Sequence, residues 1–344
     1  MDRGTQMTFY FRLMLAFVAT LAGLVVGVQE GVCQDRPVVI KLATLAPRGT
    51  VWHDLLLEMG DQWSQASGGR VELRIYPGGV AGEEADVLRK MRIGQLQAGS
   101  LSLAGLQRIS PHVSVLAIPM LMETPEDLAR VRTAMEPRLE QLFADNGYVL
   151  LNWGDVGWIR FFFSDADVSP EAAKRRRILA WSDDSLQDLW RDAGFRPVVL
   201  NLADVLPGLQ TGLVDAMGST PLFVLSNQWF PFVPFMLDMA WSPLVGATLV
   251  DRRSWEQIPA GIRPELVRIA REVGAEIQVE IQRLEEEAIE AMEARGLTVV
   301  KPTPQQVKAW RDLFESAYPM LRGTVIPADW FDEALRVARE GKGG

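Results

Sequence analysis

Apolar and polar residues follow two periods along this chain, one of two residues and one near 3.6, and the switches between them mark out elements. Val38-Val39-Ile40-Lys41-Leu42-Ala43 predicts a strand, and 44–49 a loop. An amphipathic helix follows over 51–66 and is stopped by Gly68-Gly69. Val71-Glu72-Leu73-Arg74-Ile75-Tyr76 alternates as a half-buried strand does and ends at Pro77-Gly78-Gly79. The next helix covers 83–93, with Gly94 placed to close it. Strands and helices taking turns at this spacing predict α/β layers around a largely parallel sheet.

A helix over 125–146 ends at Gly147, and two strands, 148–153 and 158–163, come after it. A second α/β pattern then begins: strand 177–181, helix 186–193, strand 197–200 and helix 203–211. Beyond Pro264, residues Leu266, Ala270, Val273, Ile277, Ile281, Leu284, Ala288 and Met292 recur about every 3.7 residues, the period of an α-helix. Pro264 stands in its first turn and Gly296 past its end, as helix termini require. At ~1.5 Å per residue this helix reaches nearly 50 Å, more than one small domain needs. It is read either as a coiled-coil dimerisation helix or, the sharper reading, as a helix bridging two lobes. Short helices are expected over 304–318 and 327–340.

The N-terminus changes the picture. Arg3 and Arg12 precede an apolar run from Leu13 to Val28, followed by a polar stretch. Residues 1–34 are therefore expected to be a cleaved signal peptide, with a membrane anchor as the alternative. The apolar segment 229–241 is broken by Pro231 and Pro234 and carries Asp238, so it is no membrane span. Cys33 is the sole cysteine, which excludes a disulfide framework within the chain, and Glu-Gly-Val before it makes a poor lipidation site. The net charge of -9 argues against a nucleic-acid partner, since phosphates need a basic footprint.

Catalytic chemistry has little material here. No G-x-S-x-G elbow, H-E-x-x-H helix or P-loop occurs, and no cofactor or metal is expected. A hydrolase on an α/β scaffold therefore lacks its nucleophile and base. His53 reads as structural, Glu83-Glu84 and Glu285-Glu286-Glu287 as solvated helix faces, and Arg175-Arg176-Arg177 as a surface turn. The tryptophans are more suggestive. Trp153, Trp158, Trp181 and Trp241 fall at strand ends and Trp52 at a helix start, places from which they can line an apolar cleft.

Five short motifs then fall in a telling order. They are Lys41-Leu42-Ala43-Thr44, Tyr76-Pro77-Gly78-Gly79-Val80-Ala81-Gly82-Glu83, Ile118-Pro119-Met120-Leu121-Met122, Leu206-Pro207-Gly208-Leu209-Gln210-Thr211-Gly212-Leu213-Val214-Asp215-Ala216 and Trp255-Glu256-Gln257-Ile258-Pro259. In that order, over 39–340, the chain resembles the DctP-type substrate-binding subunits of TRAP transporters. The resemblance implies a two-lobed periplasmic binding protein fold, α/β, with a long helix spanning both lobes. It places lobe I at 36–157 plus 247–290 and lobe II at 158–246 plus 291–340. It implies capture of a ligand in the interlobe cleft and delivery to TRAP membrane subunits, with no chemistry done on the ligand. A periplasmic sensor or carrier is the alternative.

One departure from the family pattern matters for ligand class. The family's usual carboxylate-binding arginine sits in a "K-x-R-V" strand, and the matching stretch Arg177-Ile178-Leu179-Ala180-Trp181 puts Leu179 there. Its "Q-E-N-P" is replaced by Met217-Gly218-Ser219-Thr220-Pro221. The expected ligand is accordingly apolar or amphipathic, lined by Trp52, Trp153, Trp158, Arg160, Leu179, Trp181, Ser219, Thr220, Phe223 and Trp241. Arg160 or Arg177 could instead preserve an anion site. Family members without the arginine clamp also suggest a helical-repeat periplasmic partner.

Overall fold

A computed structural model describes residues 36–181 and 187–340; the segment 1–34 expected to be a signal peptide, with Cys33, and Leu186 lie outside the described residues. The chain opens with β1 (Val38–Thr44), α1 (Val51–Ala66), β2 (Val71–Tyr76), α2 (Glu84–Arg92), β3 (Ala98–Ser102) and α3 (Leu103–Gln107). A 3-10 turn over Pro111–Ala117 leads to α4 (Pro125–Asp145) and β4 (Tyr148–Phe163). Next come α5 (Pro170–Arg175), β5 (Arg177–Trp181), α6 (Gln187–Asp192), β6 (Arg196–Leu200), α7 (Leu202–Gln210), β7 (Ala216–Ser219), α8 (Pro221–Ser226) and β8 (Phe235–Leu237). The chain finishes with β9 (Ser242–Asp251), α9 (Arg252–Gln257), α10 (Arg263–Glu293), β10 (Thr298–Val300), α11 (Pro304–Ser316) and α12 (Ala328–Glu340).

The first lobe is built on the strand order β2-β1-β3-β9-β4. β1 runs parallel to β2 and β3, while β9 is antiparallel to both β3 and β4. The second lobe continues β4-β7-β5-β6, with β8 joined to β4 and to β10. β4 belongs to both: it pairs with β9 as far as Ile159 and with β7 from Arg160 onward. The two strands expected over 148–153 and 158–163 are thus one. Gly154-Asp155-Val156-Gly157 looks like a turn in the sequence, yet the ladder with β9 runs through it. A register shift between Asp155 and Gly157 absorbs the irregularity, with Gly157 at φ +119.

Local chemistry accounts for the helices. α1 buries Leu55, Leu56, Met59 and Trp63 on one face, and the Trp63 indole donates to the Leu266 carbonyl at 3.0 Å. Each such side chain taken out of water contributes about 1.5–3 kcal/mol. α4 starts where Thr124 accepts the Asp127 N–H, and α11 where Thr303 and Gln306 cap each other reciprocally. α10 has 31 residues, about 46 Å at 1.5 Å each. Its Leu266, Ala270, Val273, Ile277 and Ile281 pack in a core with β1, while Ile289 and Met292 pack in the core around β7 and β8. The helix therefore serves both lobes, and it changes lobe between Ile281 and Ile289.

The last helix departs from its expected lobe. α12 places Trp330, Phe331, Ala334, Val337 and Ala338 in the same cluster as Val131, Met135 and Leu139 of α4. Residues 328–340 are therefore part of lobe I rather than of lobe II, because the exposed face of α4 needs an apolar cover. Among the described residues, no helix is long and apolar enough to cross a membrane.

Candidate functional site

A cavity of about 360 Å³ lies where all four apolar clusters of the protein meet. The first lobe contributes the end of β1, the start of α1 and the end of β3; the second contributes β5, β7 and α8; α11 closes one side. Close packing of backbone helps to open it. A Cβ at Gly246 of β9 would stand 2.8 Å from the Leu101 carbonyl and 2.9 Å from that of Gly154, so only glycine lets β3, β9 and β4 approach here.

The structure brings Trp52, Leu179, Trp181, Ser219, Phe223 and Trp241 onto this wall. The Trp52 indole reaches the Asp155 carbonyl at 3.4 Å, and the Asp155 carboxylate is itself held by Arg132 at 2.6 Å. Trp181 and Phe223 meet edge to face with centroids 6.4 Å apart. Trp241 stacks on Phe161 at 5.2 Å and on Phe314 at 5.1 Å. Leu179 is 7 % exposed and pairs in register with Val198 of β6.

The other four residues expected at the site lie off this wall. Trp153 is buried in the first-lobe core and borders a separate, smaller cavity beside Gly274 of α10. Trp158 packs against that same core and gives its backbone N–H to Glu285. Thr220 is wholly buried at the start of α8. Arg160 does not line the cavity; its Nε is buried with no hydrogen-bond partner among the described residues. Arg177, the other arginine considered, projects from the start of β5 and is engaged by Asp215 at 2.9 Å, half exposed. Of its neighbours, Arg176 is buried, paired with Asp165 and stacked over the Phe163 ring. Arg175 and Arg177 thus stay at the surface, as expected, and only Arg176 turns inward.

Several wall residues carried no sequence signal of their own. Trp190 and Phe195, with Leu313 and Phe314 of α11, form an aromatic and aliphatic side. Thr44, Ser100 and Thr248 supply hydroxyls from β1, β3 and β9. β3 reads Ala-Gly-Ser-Leu-Ser, a composition poor in strand formers, which hid it from the pattern. Glu84 is also not solvated: at 3 % exposure it accepts the Ser102 N–H at 2.6 Å and the Ser102 hydroxyl at 2.8 Å. No lysine, arginine or histidine is among the described residues of the wall, and its formal charges are those of Glu83 and Glu84. Among the described residues, no cluster of three His, Cys, Asp or Glu could hold a metal ion.

Glu285 corrects another expectation. It faces inward from α10 at 5 % exposure, and burial pushes its carboxyl up to about 7 against the pull of the Trp158 N–H and the Arg160 charge.

Residues 42–322 match the family described as bacterial extracellular solute-binding protein, family 7. The C4-dicarboxylate-binding periplasmic protein DctP of Vibrio cholerae is 20% identical over 309 residues, which span 88% of this chain and 92% of that protein. The uncharacterized protein YiiZ of Salmonella typhimurium is 26% identical over 166 residues, 47% of this chain and 50% of that one. Among solved structures, a TRAP periplasmic solute-binding protein from Desulfovibrio desulfuricans, holding sn-glycerol-3-phosphate, superposes with a TM-score of 0.82 at 16% identity. That match covers 89% of this chain and 98% of the other.

Proposed function

We propose that this chain, which belongs to family 7 of the bacterial extracellular solute-binding proteins, captures a solute between its lobes in the periplasm and passes it unchanged to the membrane subunits of a TRAP transporter. The segment 1–34 would direct its export. The ligand is apolar or amphipathic rather than a small carboxylate. The observation that carries this reading is the wall itself: Leu179 stands in it, and no cationic side chain is among its described residues.

The magnitudes favour the same reading. An arginine–carboxylate contact contributes about 1.5–3 kcal/mol, and a carboxylate buried without one loses several kcal/mol of hydration. Each buried methylene contributes about 0.8 kcal/mol, so about four offset the missing contact. The helical-repeat partner finds no support among the relatives found and forms no part of this proposal.

Arg160 supports a second reading. It lies opposite Ser219 in the β4–β7 ladder, and its unpartnered Nε would suit an anion if the side chain turned toward the cleft. Native mass spectrometry of the protein purified from its own cells separates the two. The expected result is one bound apolar or amphipathic molecule per chain. A stoichiometric small dicarboxylate, lost on Arg160→Ala, would establish the second reading and overturn the first.

A further inference from the structure

We infer that Thr44, Ser100 and Thr248 form a subsite for an uncharged polar head group, of the polyol class, on a ligand whose apolar body lies against the second lobe. This rests on the apolar or amphipathic reading given above and adds the head group and its orientation. The three residues are register partners on neighbouring strands: Thr44 faces Ser100 across β1 and β3, and Ser100 faces Thr248 across β3 and β9. Register partners point to the same side of a sheet, so their hydroxyls stand in a row about 5 Å apart. All three line the cavity.

The row is not saturated from within. Thr44 Oγ1 accepts the Ala46 N–H at 3.1 Å and keeps its proton to donate. Thr248 is 3 % exposed, and among the described residues its hydroxyl and that of Ser100 have no hydrogen-bond partner. Neither is among the buried polar atoms cut off from solvent, so both open onto the cavity, where a ligand group can take the place of water as their hydrogen-bond partner. A hydroxyl both donates and accepts without bringing charge, so a row of three matches a head group of the same kind. An anionic head is disfavoured, since the formal charges on the described wall are the carboxylates of Glu83 and Glu84.

The opposite side sets the orientation. Ile159, Leu179, Trp190, Phe195, Leu313 and Phe314 offer only apolar surface and indole. A molecule with a polar and an apolar end gains hydrogen bonds and burial together in one orientation alone.

The test uses glycerol 1-monodecanoate, methyl decanoate and decanoate, which share a chain and differ in the head. Each is titrated into the wild-type protein and the Ser100→Ala/Thr248→Val variant, followed by tryptophan fluorescence. The glyceryl ester is expected to bind tightest. The double variant should weaken it about tenfold while changing the methyl ester less than threefold, and the retained methyl ester binding reports an intact cavity. Equal losses for both esters, or tightest binding of decanoate, would overturn the subsite and leave apolar capture standing. Binding of succinate with none of the three decanoyl probes would overturn the apolar reading itself.

Discussion

Both carboxylate oxygens of Glu285 accept the backbone N–H of Trp158, at 3.0 and 3.1 Å, just before β4 leaves the first lobe for the second. A buried acid thereby ties the long helix to the crossing strand. Its carboxyl titrates near 7 instead of its ordinary 4.5, chiefly because burial penalises the charge.

Stability should accordingly fall as pH rises through that window. The folded state holds the proton more tightly than the unfolded chain does, so the carboxyl's contribution is complete below pH 4.5 and is lost as pH passes 7. The difference is about 3 kcal/mol at full effect. Urea unfolding at pH 5 and pH 8 should show this loss in the wild type and a smaller one in Glu285→Gln. Parallel pH profiles for the two proteins would refute the assignment.

Gly157→Ala tests the same junction from the strand side. At φ +119 an L side chain is strained, and a Cβ there would lie 2.3 Å from Glu285 Oε1. Backbone strain alone amounts to about 1–3 kcal/mol, and displacing Glu285 from the Trp158 N–H adds to it. The expected outcome is a melting temperature several degrees lower, measured by calorimetry; an unchanged transition would mean that the junction relaxes freely.

Leu179→Arg should reverse the ligand class. It puts an unpaired guanidinium into a wall that is 7 % exposed at that residue, which costs the ligand-free protein several kcal/mol. Succinate supplies the missing partner. It should raise the melting temperature of the variant and leave the wild type unmoved, whereas a wild-type response of equal size would show that a carboxylate site already exists.

The sequence pattern reaches the parts of this fold where one face is apolar. β1, α1 and β2 follow it within a residue or two, as does α10. It misses β3 and β9, where small residues and two-sided burial remove the alternation. Glu285 shows a subtler loss. The buried stripe of α10 runs Ile277, Ile281, Glu285, Ala288 and Met292, so the glutamate sits in phase with the core, while its acidic neighbours Glu286 and Glu287 are exposed. Its helical phase carried the signal that its charge concealed. At the cavity, Trp52, Trp181 and Trp241 lie on the wall while Trp153 and Trp158, which carry the same strand-end pattern, do not, and the hydroxyl row exists only once three distant strands lie in register.

The return of α12 to the first lobe has a bearing on how the molecule is made. Trp330, Phe331 and Ala334 cover Val131, Met135 and Leu139 of α4, which lie about two hundred residues earlier in the chain, roughly the size of an ordinary domain. While a ribosome is still at work on the second lobe, the flank of α4 has no cover and must be kept from aggregating. The half that emerged first becomes complete only once α12 has followed the second lobe.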